Sequence, residues 1–250
     1  MFSPWETGVS IGLGAAAGVG MAAGGFAYAA MWPASQIFGW ALTAPPRPGE
    51  LALTFDDGPN PAWTPRLLDV LNTHNIRATF FLVGRYAEAE PELTRRIVTA
   101  GHLIGNHSWS HPNLALTAGA AVKEQLHRTS DTLQQITGSP VHYFRPPFGA
   151  RRPRVLRTAL ELDMLPVLWN AITNDWAEPS ADRIAQRLMQ RIDKHDLIFR
   201  ATNIVLHDGG HQALGANRGP SVGAAGQIMA RYKQTHKFVT LDEWDPTSSK

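Results

Sequence analysis

Two acids stand side by side at Asp56-Asp57, and two histidines stand four residues apart at His107 and His111. Adjacent residues leaving a strand point in different directions, so one carboxylate of such a pair can ligate a cation while the other takes a proton. Acids before Gly58-Pro59 also suit a plain turn. Histidines four apart share one side of a helical turn, which lets both imidazoles reach a common ion. With ten histidines in the chain, that spacing alone is ordinary. Together with Asp57 the pair forms a two-His-one-carboxylate set, which leaves coordination positions for water and substrate. Such a set also suits a non-haem iron oxygenase, a class with no use for Asp56. Two more candidates complete the chemistry. Arg145, stiffened by Pro146-Pro147, can orient a neighbouring carboxylate, although a surface ion pair is the plainer use of an arginine. His207 sits between Ile204-Val205-Leu206 and Asp208-Gly209-Gly210 and is a candidate general acid.

The elements that must position these residues are legible as an alternation. Short apolar runs at Leu51–Phe55, Ala78–Val83, His102–Gly105, Val141–Phe144, Pro166–Trp169, Asn203–Leu206 and Phe238–Leu241 read as buried strands. Amphipathic stretches at Pro65–Leu71, Pro91–Ala100, Ala118–Ile136, Arg154–Leu162, Ala181–Ile192 and Ala224–Tyr232 read as helices. Strand followed by helix, repeated, implies a parallel sheet, and about seven repeats imply an α/β fold closed as a distorted (β/α) barrel. Each polar cluster follows a strand candidate, with Asp175-Trp176 a little later. In a parallel barrel the strand C-termini share one face, so the clusters converge there.

Composition limits what else the chain can be. At 250 residues and 44% hydrophobic, it can bury one large domain. Its net charge of +2 and lack of a basic stripe give no reason to expect nucleic acid, and Arg151, Arg152 and Arg154 read as a solvated helix start. The absence of cysteine excludes disulfides and thiolate ligands, so any metal must use His and carboxylate. Residues 1–44 form a hydrophobic segment: from Val9 to Trp32 there is no charge, long enough for a membrane-crossing helix. It is read as a membrane anchor, with a cleaved signal peptide or a buried helix as alternatives, since Gly and Ala dominate it. Residues 45–49 (PPRPG) read as a linker, and residues 50–250 as the catalytic domain. A membrane-held or secreted enzyme of the cell envelope, with this domain outside the cytoplasm, follows from that reading.

The sequence resembles the polysaccharide deacetylases with a NodB homology domain, carbohydrate esterase family 4, over about residues 50 to 243. The resemblance rests on TFDDGP at Thr54–Pro59, HSWSHP at His107–Pro112, RPPFG at Arg145–Gly149, Asp175-Trp176 and IVLHDGG at Ile204–Gly210. It implies Asp56 as catalytic base, Asp57, His107 and His111 as metal ligands, Arg145 as the residue orienting Asp56, and His207 as catalytic acid. It assigns the oxyanion to the backbone N–H of Phe148, where relatives often have Tyr, and groups Trp176 and Leu206 with the substrate contacts. Where many relatives carry an acid three residues after Trp169, this chain has Ile172, leaving Asp175 as the candidate to tune His207. The implied activity is metal-dependent removal of N-acetyl groups from peptidoglycan, chitin-like oligomers or poly-N-acetylglucosamine. O-deacetylation and a non-catalytic glycan-binding descendant are the alternatives. Zinc is the first metal to expect, with cobalt, nickel or iron also suited to these ligands. Trp63 and Trp109 are further aromatic candidates for sugar stacking or core packing, and residues 209 to 219, with His211, Asn217 and Arg218, form a long Gly-rich connection able to face substrate.

Overall fold

The computed structural model describes residues 24–248. Eight strands form one all-parallel sheet: β1 (Glu50–Gly58), β2 (Thr79–Leu82), β3 (Leu103–Asn106), β4 (Tyr143–Phe144), β5 (Leu165–Pro166), β6 (Ala171–Ile172), β7 (Thr202–His207) and β8 (Lys237–Val239). The order across the sheet is β5-β4-β3-β2-β1-β7-β6, and β8 pairs with Glu50–Ala52 at the start of β1. The two outermost strands, β5 and β6, are joined by residues 167–170 alone. So short a connection spans roughly 17 Å at about 3.5 Å per residue, so the sheet must curl until its edges approach. Leu42 lies at that gap, its N–H donating to Pro166 O at 2.8 Å and its carbonyl accepting from Leu168 N at 2.9 Å. The result is a curled, incompletely closed barrel.

The single strand read at Pro166–Trp169 is therefore two two-residue strands on opposite edges. Neither is long enough to leave a periodic signal, and a chain switching edges exposes no alternation. The helices follow the local signals more closely. Pro65, Pro91, Pro153 and Pro220 open the helices Thr64–His74, Pro91–Thr99, Pro153–Glu161 and Gly219–Tyr232, where proline's missing N–H costs nothing. Ser180 caps Ala181–Leu197 by accepting from Arg183 N, and Gly138 ends Gly119–Thr137 in the left-handed region (φ 74°). A short helix at Gly84–Ala89 was not anticipated.

Strand β1 is buried along nearly its whole length, and its alternation sets the architecture. Leu51, Leu53 and Phe55 enter the main core with helix residues such as Leu67, Leu188 and Ile228. Ala52 belongs to a second cluster with Leu42, Phe81 and Val167. Thr54 and Asp56 alternate with the Leu51, Leu53 and Phe55 set, and it is this polar pair that meets Arg145.

Two expectations about the chain before β1 change. Arg151 is not solvated: it is 1% exposed, and its guanidinium donates to the carbonyls of Gly149 (3.0 Å), Trp32 (2.7 Å), Ser35 (2.7 Å) and Ala30 (3.4 Å). Around it Ala29, Ala30, Ser35, Ala41, Leu42 and Ala44 are buried, and residues 45–49 are bonded on through Pro45 O to Ala201 N and Gly49 N to Asp196 Oδ1. The packed body thus reaches upstream of Glu50. Of the expected span 9–32, residues 9–23 lie outside the described residues, residues 24–31 are helical, and among the described residues no helix is long and apolar enough to cross a membrane. Replacing Arg151 by Met strands several carbonyl acceptors at once and should cost about 2–4 kcal/mol, read as a lower urea midpoint with unchanged slope.

Candidate active site

The site is built where β1 ends. Its register against β2 slips between Asp56 and Gly58, and Asp57 takes a positive φ of 70°, a conformation Asp tolerates better than most side chains. This bulge sends the two adjacent carboxylates apart. Asp56 Oδ1 accepts from Arg145 Nη1 at 2.7 Å, whereas Asp57 Oδ1 lies 3.1 Å from His111 Nε2 and 3.6 Å from His107 Nε2. The end of β7 crosses this turn so closely that a Cβ on Gly209 would stand 1.9 Å from Asp57 O. Only glycine fits there.

His107 follows β3 directly. Its Nδ1 is 2.8 Å from Arg145 O, and because a carbonyl only accepts, Nδ1 bears the proton and Nε2 presents its lone pair toward Asp57. His111 reaches the same place by a route other than the helical turn its spacing suggested. Residues 107–111 form an irregular loop in which Ser108 (φ 65°) and His111 (φ 60°) are both left-handed. Asn106 Oδ1 accepts from Ser108 N, and Ser108 Oγ from His111 N. Burial, then the adjacent His107, pushes the His111 imidazole down to about 3, so it is a neutral donor of electron pairs. Burial raises the Asp57 carboxyl, but His211 and the surrounding imidazoles outweigh it and hold it below the usual carboxylate range.

Asp57, His107 and His111 each offer a ligand atom, all within 4.8 Å of one another and all from buried residues. Asp57 Oδ1 and His111 Nδ1 are buried with no hydrogen-bond partner. An ionised oxygen left unanswered in a closed site is costly, and a divalent cation answers it; the donor set fits one. His211 stacks on His111 (centroids 4.4 Å apart, 17° between planes) with Nδ1 3.6 Å from Asp57 Oδ2, outside the triad.

Arg145 has no exposed surface. Its Nη1 donates to Asp56 and to Thr54 Oγ1, both at 2.7 Å, and the guanidinium lies 4.1 Å over the Phe81 ring. Burial lowers its pKa, and Asp56 works against that shift. Across the site His207 ends β7. Asp175, the candidate for its partner, accepts from His207 Nδ1 at 2.9 Å through Oδ1, and through Oδ2 from His207 N (2.8 Å) and Ser221 Oγ (2.7 Å). Trp176 stands edge-on to the imidazole, centroids 5.1 Å apart. Burial pushes the His207 pKa down, but Asp175, then Asp57 and Asp56, push it further up, to about 9. Asp208, the next residue, is buried beside Thr64, and burial raises it to about 7.

Asp56, Asp57, His107, His111, His207 and His211 line one cavity of about 560 Å³, with Phe148, Trp169, Ile172 and Trp176 among its apolar walls; Arg145, Asp175 and Asp208 stand behind it. A volume in the range of about 300–1,000 Å³ suits a sugar-sized ligand. Phe148 sits at the rim with φ 59°, its ring edge-on to His111 at 4.6 Å. Leu206 is not part of the wall: it is fully buried in the main core opposite Phe55. Trp63 packs on that core and Trp109 lies under Arg128, 3.6 Å from its ring centroid, so neither faces the cavity. Trp169, unclaimed as a contact, does face it, with a buried Nε1 that has no partner. The loop after His207 contributes His211 and Arg218, pinned by Tyr86 Oη on Gly210 O and Asn60 Nδ2 on Ala216 O.

A parallel α/β body with a buried Asp-His-His set, an Arg-held carboxylate and an Asp-held histidine around one cavity defines a hydrolase-type site. The sequence pattern of the family described as Polysaccharide deacetylase matches residues 43–167. A peptidoglycan-N-acetylglucosamine deacetylase of Bacillus cereus is 35% identical over 214 residues, which are 85% of this chain and 74% of that one. A crystal structure of a peptidoglycan N-acetylglucosamine deacetylase, in complex with 4-naphthalen-1-yl-N-oxidanyl-benzamide, superposes with a TM-score of 0.73 at 36% identity, covering 83% of this chain and 92% of that one. A family 4 acetyl xylan esterase from Clostridium thermocellum, in complex with a cobalt ion, gives a TM-score of 0.67 at 31% identity over 78% and 89%. The chain belongs to the polysaccharide deacetylase family, carbohydrate esterase family 4.

Asp175→Asn removes the charge that raises His207 and leaves the burial that lowers it, so the imidazole pKa should fall from about 9 by at least about one unit in an NMR titration. Because the folded pKa is raised, the pair's contribution to stability is full below the ordinary His value and fades as pH rises through about 9. Ser221→Ala, which removes one of the bonds that hold Asp175, should give a smaller shift in the same direction.

Proposed function

We propose that this protein hydrolyses the N-acetyl groups of a glycan, releasing acetate and a free amino sugar, with one divalent cation held by Asp57, His107 and His111. The observation that supports it most is the separation of two adjacent carboxylates, one facing two imidazoles and one held by a buried guanidinium. When bound, the cation supplies Lewis acidity toward the acetamide carbonyl and acidifies water. Zinc is the metal we assign, with cobalt, nickel or iron compatible with the same ligands.

The chain's own groups account for the proton traffic. Asp56 is the base. Arg145 occupies its Oδ1, which leaves Oδ2, 3.9 Å from His107 Nε2, turned toward the metal ligands to receive the proton from water. The backbone N–H of Phe148 is the donor assigned to the tetrahedral oxyanion. His207, held by Asp175 through Nδ1, donates from Nε2 to the departing nitrogen. An amine leaves only when protonated, so an imidazole raised to about 9 favours amide over ester cleavage, and O-deacetylation is the second reading. Trp176 and Trp169 form the apolar wall against which the acetyl group and sugar ring rest.

Peptidoglycan is the substrate we favour, because the peptidoglycan deacetylases are similar over most of both chains; chitin-like oligomers and poly-N-acetylglucosamine present the same acetamide. We further propose that residues 9–32 hold the protein at a membrane with the catalytic domain outside the cytoplasm, supported by their lack of charge.

Asp56→Asn should lower acetate release from peptidoglycan by about 10²–10⁴-fold while the purified protein keeps its metal by elemental analysis. His107→Ala should lose the metal itself, and chelation should abolish wild-type activity until zinc is restored. Wild-type turnover by Asp56→Asn would show that the base lies elsewhere.

A further inference from the structure

From Thr7 to Pro46 the sequence contains no Asp, Glu, Lys, Arg or His. The described part of this stretch has two faces. Its inner face, around Ala29, Ala30, Ser35 and Leu42, is buried on the domain. Its outer face presents Phe26, Tyr28, Met31, Trp32, Ile37 and Trp40, exposed between 42% and 68%. Phe26 lies 5.4 Å from Phe38, and Tyr28 stacks with Trp32 at 6.1 Å, so the side chains form a patch rather than scattered points. A contiguous apolar patch is an interaction surface.

Composition argues for one occupant. Protein interfaces close with a polar rim, and this stretch supplies no charge to make one. Trp and Tyr among aliphatic residues is instead the signature of the bilayer interface, where amphipathic rings sit at headgroup level. In sequence the segment directly follows residues 9–23, an uncharged run of mostly Gly, Ala, Val, Ile, Leu and Met. We infer that the outer face of residues 24–40 lies on a lipid bilayer, so that the folded domain itself docks at headgroup depth and does not merely trail from an anchor. The inference rests on the membrane association proposed above and adds the surface and its orientation.

The consequence concerns the cavity. Arg151 bonds the carbonyls of Trp32 and Ser35 on the patch segment and that of Gly149, the neighbour of Phe148. A Cβ on Gly149 would come within 3.7 Å of Met31 O, so the two segments are in close contact. The lipid-facing segment is therefore fixed to one wall of the cavity, and glycan is taken from the layer beside the bilayer.

A rival apolar surface exists at Leu197, Ile198 and Phe199, exposed 80%, 54% and 72% and flanked by Lys194 and Arg200. The chain has no cysteine, so Ile37→Cys and Leu197→Cys can each be labelled uniquely with a polarity-sensitive fluorophore on the full chain. With phosphatidylcholine vesicles, the protein should float, and the label at 37 should shift to the blue and be quenched by headgroup-level nitroxide lipid. The label at 197 should remain water-like. Flotation with a water-like label at 37, or a response at 197 in place of 37, overturns the docking surface while leaving membrane association standing. A label at 37 already shielded before vesicles are added, and unchanged by them, overturns it in favour of cover by another part of this chain. Absence of flotation overturns both readings. The pair Trp32→Ser and Trp40→Ser should weaken vesicle partitioning at least about tenfold without changing turnover of a soluble oligosaccharide.

Discussion

A guanidinium with no exposed surface must have its charge answered, and in this protein the answer is one carboxylate. Arg145 is wholly buried, and of its polar contacts only Asp56 is charged. Breaking a buried pair of this kind costs about 3–5 kcal/mol, because the remaining charge has no water to turn to. The pairing has a geometric consequence that exceeds its energy. Once Asp56 is committed to Arg145, the next residue cannot follow it, and the bulge at the end of β1 turns Asp57 to the other side. Arg145 also accepts, through its carbonyl, the Nδ1 proton of His107. One residue thus fixes the Asp56 carboxylate and the tautomer of His107, while the slip in register beside it sets where the Asp57 carboxylate lies.

The rest of the architecture serves this arrangement. Parallel strands deliver Asp56, Asn106, Phe144 and His207 to one face, which is why residues distant in sequence meet with little loop to position them. The curled sheet is closed at its weak seam by Leu42 and by a segment that Arg151 ties to the loop holding Phe148. The same segment bears the exposed apolar patch of Phe26, Tyr28, Trp32 and Trp40.

Much of this was legible in the residues. The strand-helix alternation and the placement of the polar clusters after strands needed only periodicity and turn chemistry, both local. What was not legible is what depends on distant packing. Two-residue strands at 165–166 and 171–172 exist because β4 and β7 offer edges, and nothing in Leu-Pro or Ala-Ile declares it. The spacing of His107 and His111 pointed to a pair that the structure does bring together, but by another route: two left-handed residues, held by Asn106 and Ser108, make the approach a helix would have made. Arg151 looked solvated because its partners are carbonyls, which leave no trace in a sequence. Asp175 was ambiguous beside Ile172 until its two oxygens were seen on the imidazole and backbone of His207.

The charges of the site, taken together, describe what a cation at the triad would meet. Asp56 is matched by Arg145, and Asp175 by an imidazole whose pKa of about 9 keeps it protonated near neutrality. His111 is neutral, its pKa pushed down to about 3, and His107 presents a lone pair. The ionised charge of the triad is that of Asp57, whose Oδ1 is buried without a hydrogen-bond partner. A single carboxylate neutralises half of a divalent cation, so the bound ion would retain about one positive charge in a site with little water to screen it. In the proposed reaction that surplus would have the sign needed where an acetamide oxygen turns into an oxyanion. A second acidic ligand would bind the ion more tightly and cancel the surplus. Two neutral imidazoles would hold it in place without doing so.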